Sequence, residues 1–242
     1  ASMKSVRKME MEMSLSMAKK MNVLNNLSIQ SRLARDLLND YNKAVGPIAK
    51  VSFGLAVTNI LDVDVDDNLF KAAVWLKMKW NDPRLTWSLS DYNITSISLP
   101  SDLLWQPDVM LYNGVGNHQL RRTPVNMYVT NTGLVTFIVP DVIKNGFAVN
   151  KTAPNKVSKI QTVNLKFGSW TKDKSLIDME CMDGVKTVDV SFMTPGEYSV
   201  LPSSSVKIQK KKYACCPEVY VTANVKLVLE NLRPKPSNND DD

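Results

Sequence analysis

Two hydrophobic periods divide this chain. Up to about residue 45, apolar positions recur every three or four residues, the spacing of a helix. Met9, Met13, Met17 and Met21 fall four apart on one helical face, a stripe that reads as a docking or core surface. Asn22 to Asn26 interrupts the pattern. A second helix is predicted from about Ser31, with Leu33, Leu37, Leu38, Tyr41 and Val45 on one side and Gly46-Pro47 as its stop. From Val51 onward the period becomes two. Val51, Phe53, Leu55 and Val57 alternate with small or polar residues, and Val74, Leu76, Met78 and Trp80 form the apolar face of a strand whose other face carries Ala73, Trp75, Lys77 and Lys79.

Turn signals punctuate the strand pattern at Asp66-Asp67-Asn68, Asn81-Asp82-Pro83, Asn113-Gly114, Asn131-Thr132-Gly133, Asp183-Gly184 and Pro195-Gly196. Residues 125–130 and 134–139, joined by the Asn-Thr-Gly turn, read as a hairpin. Many short strands with regular turns predict an all-β sandwich or barrel behind an N-terminal α-helix. The divisions expected are a helical extension over 1–30, a β-sandwich over 31–233 and a polar tail over 234–242.

Composition narrows the classes. The 242 residues are 44% apolar and 22% charged, enough for one large core. No run approaches the roughly 18 consecutive apolar residues of a membrane span, so the chain is expected to be soluble. The opening ASMKSVRKMEMEMS is too charged for the apolar centre of a signal peptide; any leader is expected to have been removed or replaced. The net charge of +6 raises the question of nucleic acid, but the basic residues are scattered apart from Lys210, Lys211 and Lys212, and no nucleic-acid motif is present. Asn26, Asn93 and Asn150 each open an Asn-x-Ser/Thr triplet and are glycosylation candidates.

Catalytic chemistry finds no support. The single histidine, His118, sits in a Gly-rich loop without a second histidine or a Cys-x-x-Cys pair, so no metal site and no cofactor are expected. Gly114-x-Gly116 lacks the strand–helix context of a dinucleotide site, and no Gly-x-Ser-x-Gly elbow occurs. Trp80 and Trp87 suit a sandwich core, whereas Trp75, on a face with lysines, suits a contact or a ligand. Cys215 and Cys216 are adjacent in YACCPEVY, between Tyr213 and Tyr220. Neighbouring Cα atoms lie about 3.8 Å apart, well short of the roughly 5.5 Å of an ordinary disulfide, so the pair is either unbonded or strained by design.

Five stretches, in order, resemble one family. LARDLLNDYNKAVGP (33–47), VWLKMKWNDPRLTW (74–87), WQPDVMLYN (105–113), KFGSWT (166–171) and YACCPEVY (213–220) resemble the signatures of acetylcholine-binding proteins, soluble homologues of the extracellular domain of nicotinic (Cys-loop) receptors. The resemblance implies a ten-stranded, immunoglobulin-like β-sandwich assembled as a secreted, extracellular homopentamer. It implies no catalysis, and acetylcholine, nicotine-like alkaloids and related cationic amines held in an aromatic cage between subunits. The principal face would be Tyr112, Trp170, Tyr213, Cys215, Cys216 and Tyr220, with Cys215–Cys216 as a vicinal disulfide. The complementary face would bring Trp75, Asn126, Tyr128 and Ile138, the asparagine and tyrosine departing from the mostly apolar residues of the family. Asp108 would brace the backbone around Ser169 and Trp170, and Lys166 would meet Tyr213.

The family's name-giving loop is altered. Its two cysteine positions correspond to Val149 and Val163, a pair expected to fill the space apolarly while forgoing about 2–4 kcal/mol of loop constraint. In channels that loop faces the membrane domain, so its divergence favours a soluble protein over the alternative, a receptor ligand-binding domain cut before its membrane helices. A secreted β-sandwich enzyme or carbohydrate-binding module would need clustered carboxylates or a metal triad, and neither is visible.

Overall fold

The computed structural model describes residues 3–116, 125–154, 156–214 and 216–233, with side chains from residue 11 onward. In chain order the elements are α1 (Met3–Leu38), β1 (Ala49–Asp64), β2 (Leu69–Thr86), the short helix α2 (Leu89–Tyr92), β3 (Ser96–Pro100), β4 (Val109–Leu111), β5 (Asn126–Thr130) and β6 (Thr132–Gly146). There follow β7 (Lys151–Ala153), β8 (Lys156–Val157), β9 (Ile160–Ser169), β10 (Ile177–Cys181), β11 (Tyr198–Val200), β12 (Ser205–Tyr213) and β13 (Cys216–Asn231).

The strands form the sandwich that the period-two pattern calls for. One sheet runs β10-β1-β2-β6-β5-β3; the other runs β11-β13-β9-β4, with β12 also paired to β13. The alternation is kept: Val74, Leu76, Met78 and Trp80 are buried, and Trp75, Lys77 and Lys79 lie on the outer side of β2. Phe53 of β1 and Phe167 of β9 meet across the sheets at 5.1 Å, and Trp80 packs edge-on to Trp105 at 5.8 Å. Trp80 and Trp87 are both buried. The β5–β6 hairpin turns at Gly133, whose φ of +84° suits glycine, and a Cβ there would lie 2.5 Å from the Asp82 carbonyl oxygen.

The helical region differs from the two-helix expectation. One helix runs without a break through Asn22–Asn26, because asparagine costs only a fraction of a kcal/mol in a helix interior and no proline intervenes. It also ends earlier, at Leu38. Leu33 is fully buried and Leu37, Leu38 and Tyr41 pack partly buried on the sandwich, but Val45 is outside the helix and exposed. Met13, Met17 and Met21 are more than half exposed, so the stripe is not core within one chain.

A polar network explains the early stop. Asp82 is fully buried. It accepts from Arg84 Nε at 2.8 Å, Arg84 Nη2 at 2.7 Å and the Tyr41 hydroxyl at 2.7 Å. Arg84 Nη1 donates to the carbonyls of Asn42 and Val45, and the Trp105 N–H donates to the Tyr41 hydroxyl. The segment after α1 is thus drawn across β2 as a strap, satisfying charges that would be costly to bury alone.

The loop between β6 and β9 is closed by polar contacts. Val163 is fully buried and Val149 packs partly buried against the same core, in keeping with an apolar fill. The base of the loop, however, is held by buried Gln161. Its Oε1 accepts from the Asn150 N–H at 2.8 Å, and its Nε2 donates to the carbonyls of Asn150 (3.1 Å) and Ser158 (2.7 Å). The Asn150 amide nitrogen is itself directed to the Ile160 carbonyl and Thr162 hydroxyl, while Asn93 is exposed at the end of α2. Gln161→Ala strands buried backbone groups, each worth about 1–3 kcal/mol. A loss of roughly 3 kcal/mol is expected, read as a fall in melting temperature of about 6–12 °C by calorimetry.

Candidate ligand-binding site

Four aromatic residues converge at one edge of the β9–β13 sheet. Tyr112 follows β4, Trp170 follows β9, Tyr213 ends β12 and Tyr220 lies in β13. Register brings them together, since β4 and β13 flank β9 with Met110 and Thr222 both opposite Gly168. Tyr112 and Trp170 meet edge-to-face at 5.8 Å, and Tyr213 and Tyr220 do so at 5.7 Å. Trp170 is 63% exposed, an unusual state for so large a ring.

Hydrogen bonds hold this edge from behind. Asp108 accepts from the Ser169 hydroxyl, the Thr171 N–H at 2.8 Å and the Thr171 hydroxyl at 2.6 Å, while its carbonyl accepts the Trp170 N–H at 3.1 Å. Burial alone would raise the Asp108 pKa; the hydrogen bonds from Ser169 and Thr171 outweigh it, and the carboxyl sits below its ordinary range. The carboxylate is therefore committed to the loop that presents Trp170. The Tyr112 hydroxyl donates to the Ser169 carbonyl, and burial, with added repulsion from Tyr213 and Asp108, pushes its pKa up to about 12. Lys166 donates to the Tyr213 hydroxyl at 3.0 Å, with its ammonium about equally far from the Tyr112 and Tyr213 rings, 5.5 and 5.4 Å.

Two supporting residues were not singled out from sequence. Asn113 ties the end of β4 to β9, donating to the Asn164 carbonyl at 2.8 Å and accepting the Lys166 N–H at 2.9 Å. Gly168 lets Tyr112 cross β9: a Cβ there would lie 2.7 Å from the Tyr112 hydroxyl oxygen. Gly168→Ala is expected to lower stability by about 1–3 kcal/mol through overpacking, seen as an earlier thermal transition, with partial recovery when Tyr112→Phe removes the nearest clashing atom.

The other expected face lies on the other sheet. Trp75 is on β2, Asn126 and Tyr128 on β5 and Ile138 on β6. The pairs Lys77–Ile138 and Tyr128–Thr136 put them on one outer surface, where Asn126, Tyr128 and Ile138 are exposed. Among the described residues, no ring pair joins Trp75 or Tyr128 to Tyr112, Trp170 or Tyr213. One chain therefore holds two separate aromatic half-surfaces.

Phe192, also missed from sequence, stacks on Trp75 at 4.7 Å and is 56% exposed. It lies in an irregular loop with no periodic signal to mark it. The lysines beside Trp75 are neutralised, Lys77 by Asp189 and Lys79 by Asp183 at 3.0 Å. Cys215, and with it the expected Cys215–Cys216 bond, lies outside the described residues, as do His118 and the tail. Cys216 opens β13 opposite Tyr213, and the Cys181 thiol is 3.7 Å from the Val206 carbonyl oxygen. The described residues contain no cluster suited to a metal ion and no helix long and apolar enough to cross a membrane.

Residues 30–231 match the family described as neurotransmitter-gated ion-channel ligand binding domain. The chain is similar to the neuronal acetylcholine receptor subunit alpha-2 of Homo sapiens, 32% identical over 211 residues that make up 84% of this chain and 39% of that subunit. It is 31% identical over 210 residues to the alpha-4 subunit of Homo sapiens, covering 84% of this chain and 33% of the subunit. The alpha-2 subunit of Gallus gallus is 31% identical over the same 84% of this chain. The chain thus spans about two fifths or less of the length of these relatives.

Proposed function

Because this chain belongs to the family of neurotransmitter-gated ion-channel ligand-binding domains, a receptor family and not an enzymatic one, we infer that it binds small cationic amines between adjacent copies of itself in a homopentamer. The observation that carries the reading is the separation of two half-surfaces. Tyr112, Trp170, Tyr213 and Tyr220 sit on one sheet edge, and Trp75, Asn126, Tyr128 and Ile138 sit on the other sheet. A neighbouring copy would set one against the other. Acetylcholine and nicotine-like alkaloids suit such a cage, since ring faces attract a cation without the cost of stripping water from a carboxylate. Each contact is worth about 0.5–2 kcal/mol, and several supply a substantial part of the roughly 8 kcal/mol that micromolar affinity needs. Asp108 does not compete for the cation, because its oxygens already serve Ser169 and Thr171.

The soluble, secreted form is favoured by the loop after β6, which is closed by Gln161 and carries valines where the family has cysteines. Cys215 and Cys216, joined as a vicinal disulfide, would cap the cage from the hairpin. Light scattering should give a mass near five times the 27.1 kDa chain, and nicotine should quench tryptophan fluorescence saturably. A monomeric mass without saturable quenching refutes the reading. A second reading, the extracellular part of a channel subunit, draws on the relatives, which are receptor subunits of greater length. The gene sequence after residue 242 separates them: a stop codon supports the first, apolar stretches of about 20 residues the second.

A further inference from the structure

We propose that the exposed part of α1 pairs antiparallel with the same helix of a second copy, about a two-fold axis at the level of residue 15, and so joins two assemblies of this chain. α1 starts at Met3, whereas the family match begins at residue 30, so about 40 Å of helix precedes the sandwich. Every residue from 11 to 28 is exposed, and Leu33 is the first to be fully buried. Met13, Met17, Met21, Leu24 and Leu27 are each more than half exposed. At about 100° per residue these five fall within roughly 120° of arc, with Leu33 nearly opposite. The stripe therefore turns away from the chain's own core. A contiguous apolar face of this size left in water marks a contact surface.

The order of residues along the stripe names the partner. Carried toward the N-terminus, the same arc takes in Met9, Val6 and Met3. Met13 and Met17 are equidistant from residue 15; so are Met9 and Met21, Val6 and Leu24, and Met3 and Leu27. A second α1 laid antiparallel thus sets every apolar position of the stripe against another. Between residues 3 and 27 the charged residues within the arc are Glu10 and Lys20, and these too are equidistant from residue 15. Antiparallel pairing sets each opposite its complement. Parallel pairing would set Glu10 against Glu10 and Lys20 against Lys20, and like charges at that spacing destabilise a helix contact. A lipid surface would take the methionines but leave both charges without partners. Residue 30 of one copy then lies about 45 Å from residue 30 of the other, which leaves room for both sandwiches. Each helix offers the face its partner offers, so the contact closes at two. It uses none of the aromatic residues of either half-surface and does not depend on how many copies each assembly holds.

Sedimentation of the full chain over a range of concentrations tests the pairing. The mass is expected to rise with concentration to twice its dilute value. Met13→Glu/Met17→Glu should abolish the rise, and Met21→Glu/Leu24→Glu provides a second disruption; all four side chains are exposed, so circular dichroism should show the sandwich unchanged. Lys20→Glu and Glu10→Lys should each raise the dissociation constant of the doubling by about 3- to 30-fold, and the combined Glu10→Lys/Lys20→Glu should restore it. No rise in the parent, or a rise unaltered in both stripe variants, overturns the pairing. Single charge variants without effect, or a combined variant that does not recover, overturns the antiparallel register. Flotation of the parent with phosphatidylcholine vesicles, lost in the stripe variants and unaccompanied by doubling, assigns the stripe to lipid and overturns the proposal. Nicotine quenching on the same samples should be equal in parent and variants. Its absence would count against the aromatic interface alone, because a twofold rise is read from any starting mass.

Discussion

Trp170→Ala is expected to weaken nicotine binding by roughly 30- to 1,000-fold while leaving the fold intact, a loss of about 2–4 kcal/mol of the kind seen at aromatic hot spots. The ring is 63% exposed in the single chain, so its removal opens no cavity in the core and should move the melting temperature little. Its backbone is fixed independently of the ring, by the Trp170 N–H on the Asp108 carbonyl and by Thr171 on the Asp108 carboxylate. A loss of binding at constant stability and constant oligomer mass therefore reports the ring itself. Trp170→Phe should retain part of the affinity, since a smaller π face attracts the cation less. Isothermal titration of nicotine into each variant decides it. Unchanged affinity in Trp170→Ala would remove the aromatic cage from the explanation.

Asp82→Ala is expected to be the most destabilising single change, by about 3–5 kcal/mol. The carboxylate is fully buried and is the acceptor for both Arg84 and Tyr41. Without it, Arg84 keeps only neutral partners, the carbonyls of Asn42 and Val45 and the Tyr41 hydroxyl, and the strap after α1 loses its charged anchor. A drop in melting temperature of about 6–20 °C is expected, and Asp82→Asn should lie between the variant and the parent. The same group predicts an acid response. Burial disfavours its charge, but the hydrogen bonds from Arg84 and Tyr41 win and lower its pKa. A carboxyl lowered on folding contributes stability that is complete above the unfolded value of about 3.9 and is lost as pH falls through the folded value. Asp189, pulled down to about 2 by the hydrogen bond from Lys77, adds to the loss between about pH 4 and pH 2. Denaturation curves should be flat from pH 7 to 5 and fall steeply below 4, less steeply in Asp82→Asn. A slope unchanged by that substitution would show that Asp82 is not the responsible group.

The two substitutions differ in how visible their residues were. Trp170, Tyr112 and the tyrosines of YACCPEVY carry recognisable motifs, because their chemistry is local to a few residues. Phe192 is marked only by the loose resemblance of SFMTPGE (191–197) to the family's complementary-side loop, and its position over Trp75 depends on that irregular loop rejoining β1 at Asp189. Gly168 sat inside a motif, but its reason, the Tyr112 ring crossing it, appears only when β4 lies beside β9. The Gln161 clamp was hidden likewise, since a glutamine in a strand reads as surface until both ends of its loop are brought together.

The sequence by itself determined the sandwich, the inward faces of its strands and the aromatic residues on offer. Alternation and turn chemistry are properties of neighbouring residues, and a buried face must be apolar wherever it lies. It misplaced the helix boundaries, because Asn22–Asn26 is tolerated in a helix and the true stop at Leu38 comes from Tyr41 being drawn to Asp82. Only the tertiary structure decided which aromatic residues meet. Strand register gathers Tyr112, Trp170, Tyr213 and Tyr220 at one edge and sends Trp75 to another sheet. Those pairings join residues far apart in sequence, and no local pattern encodes them.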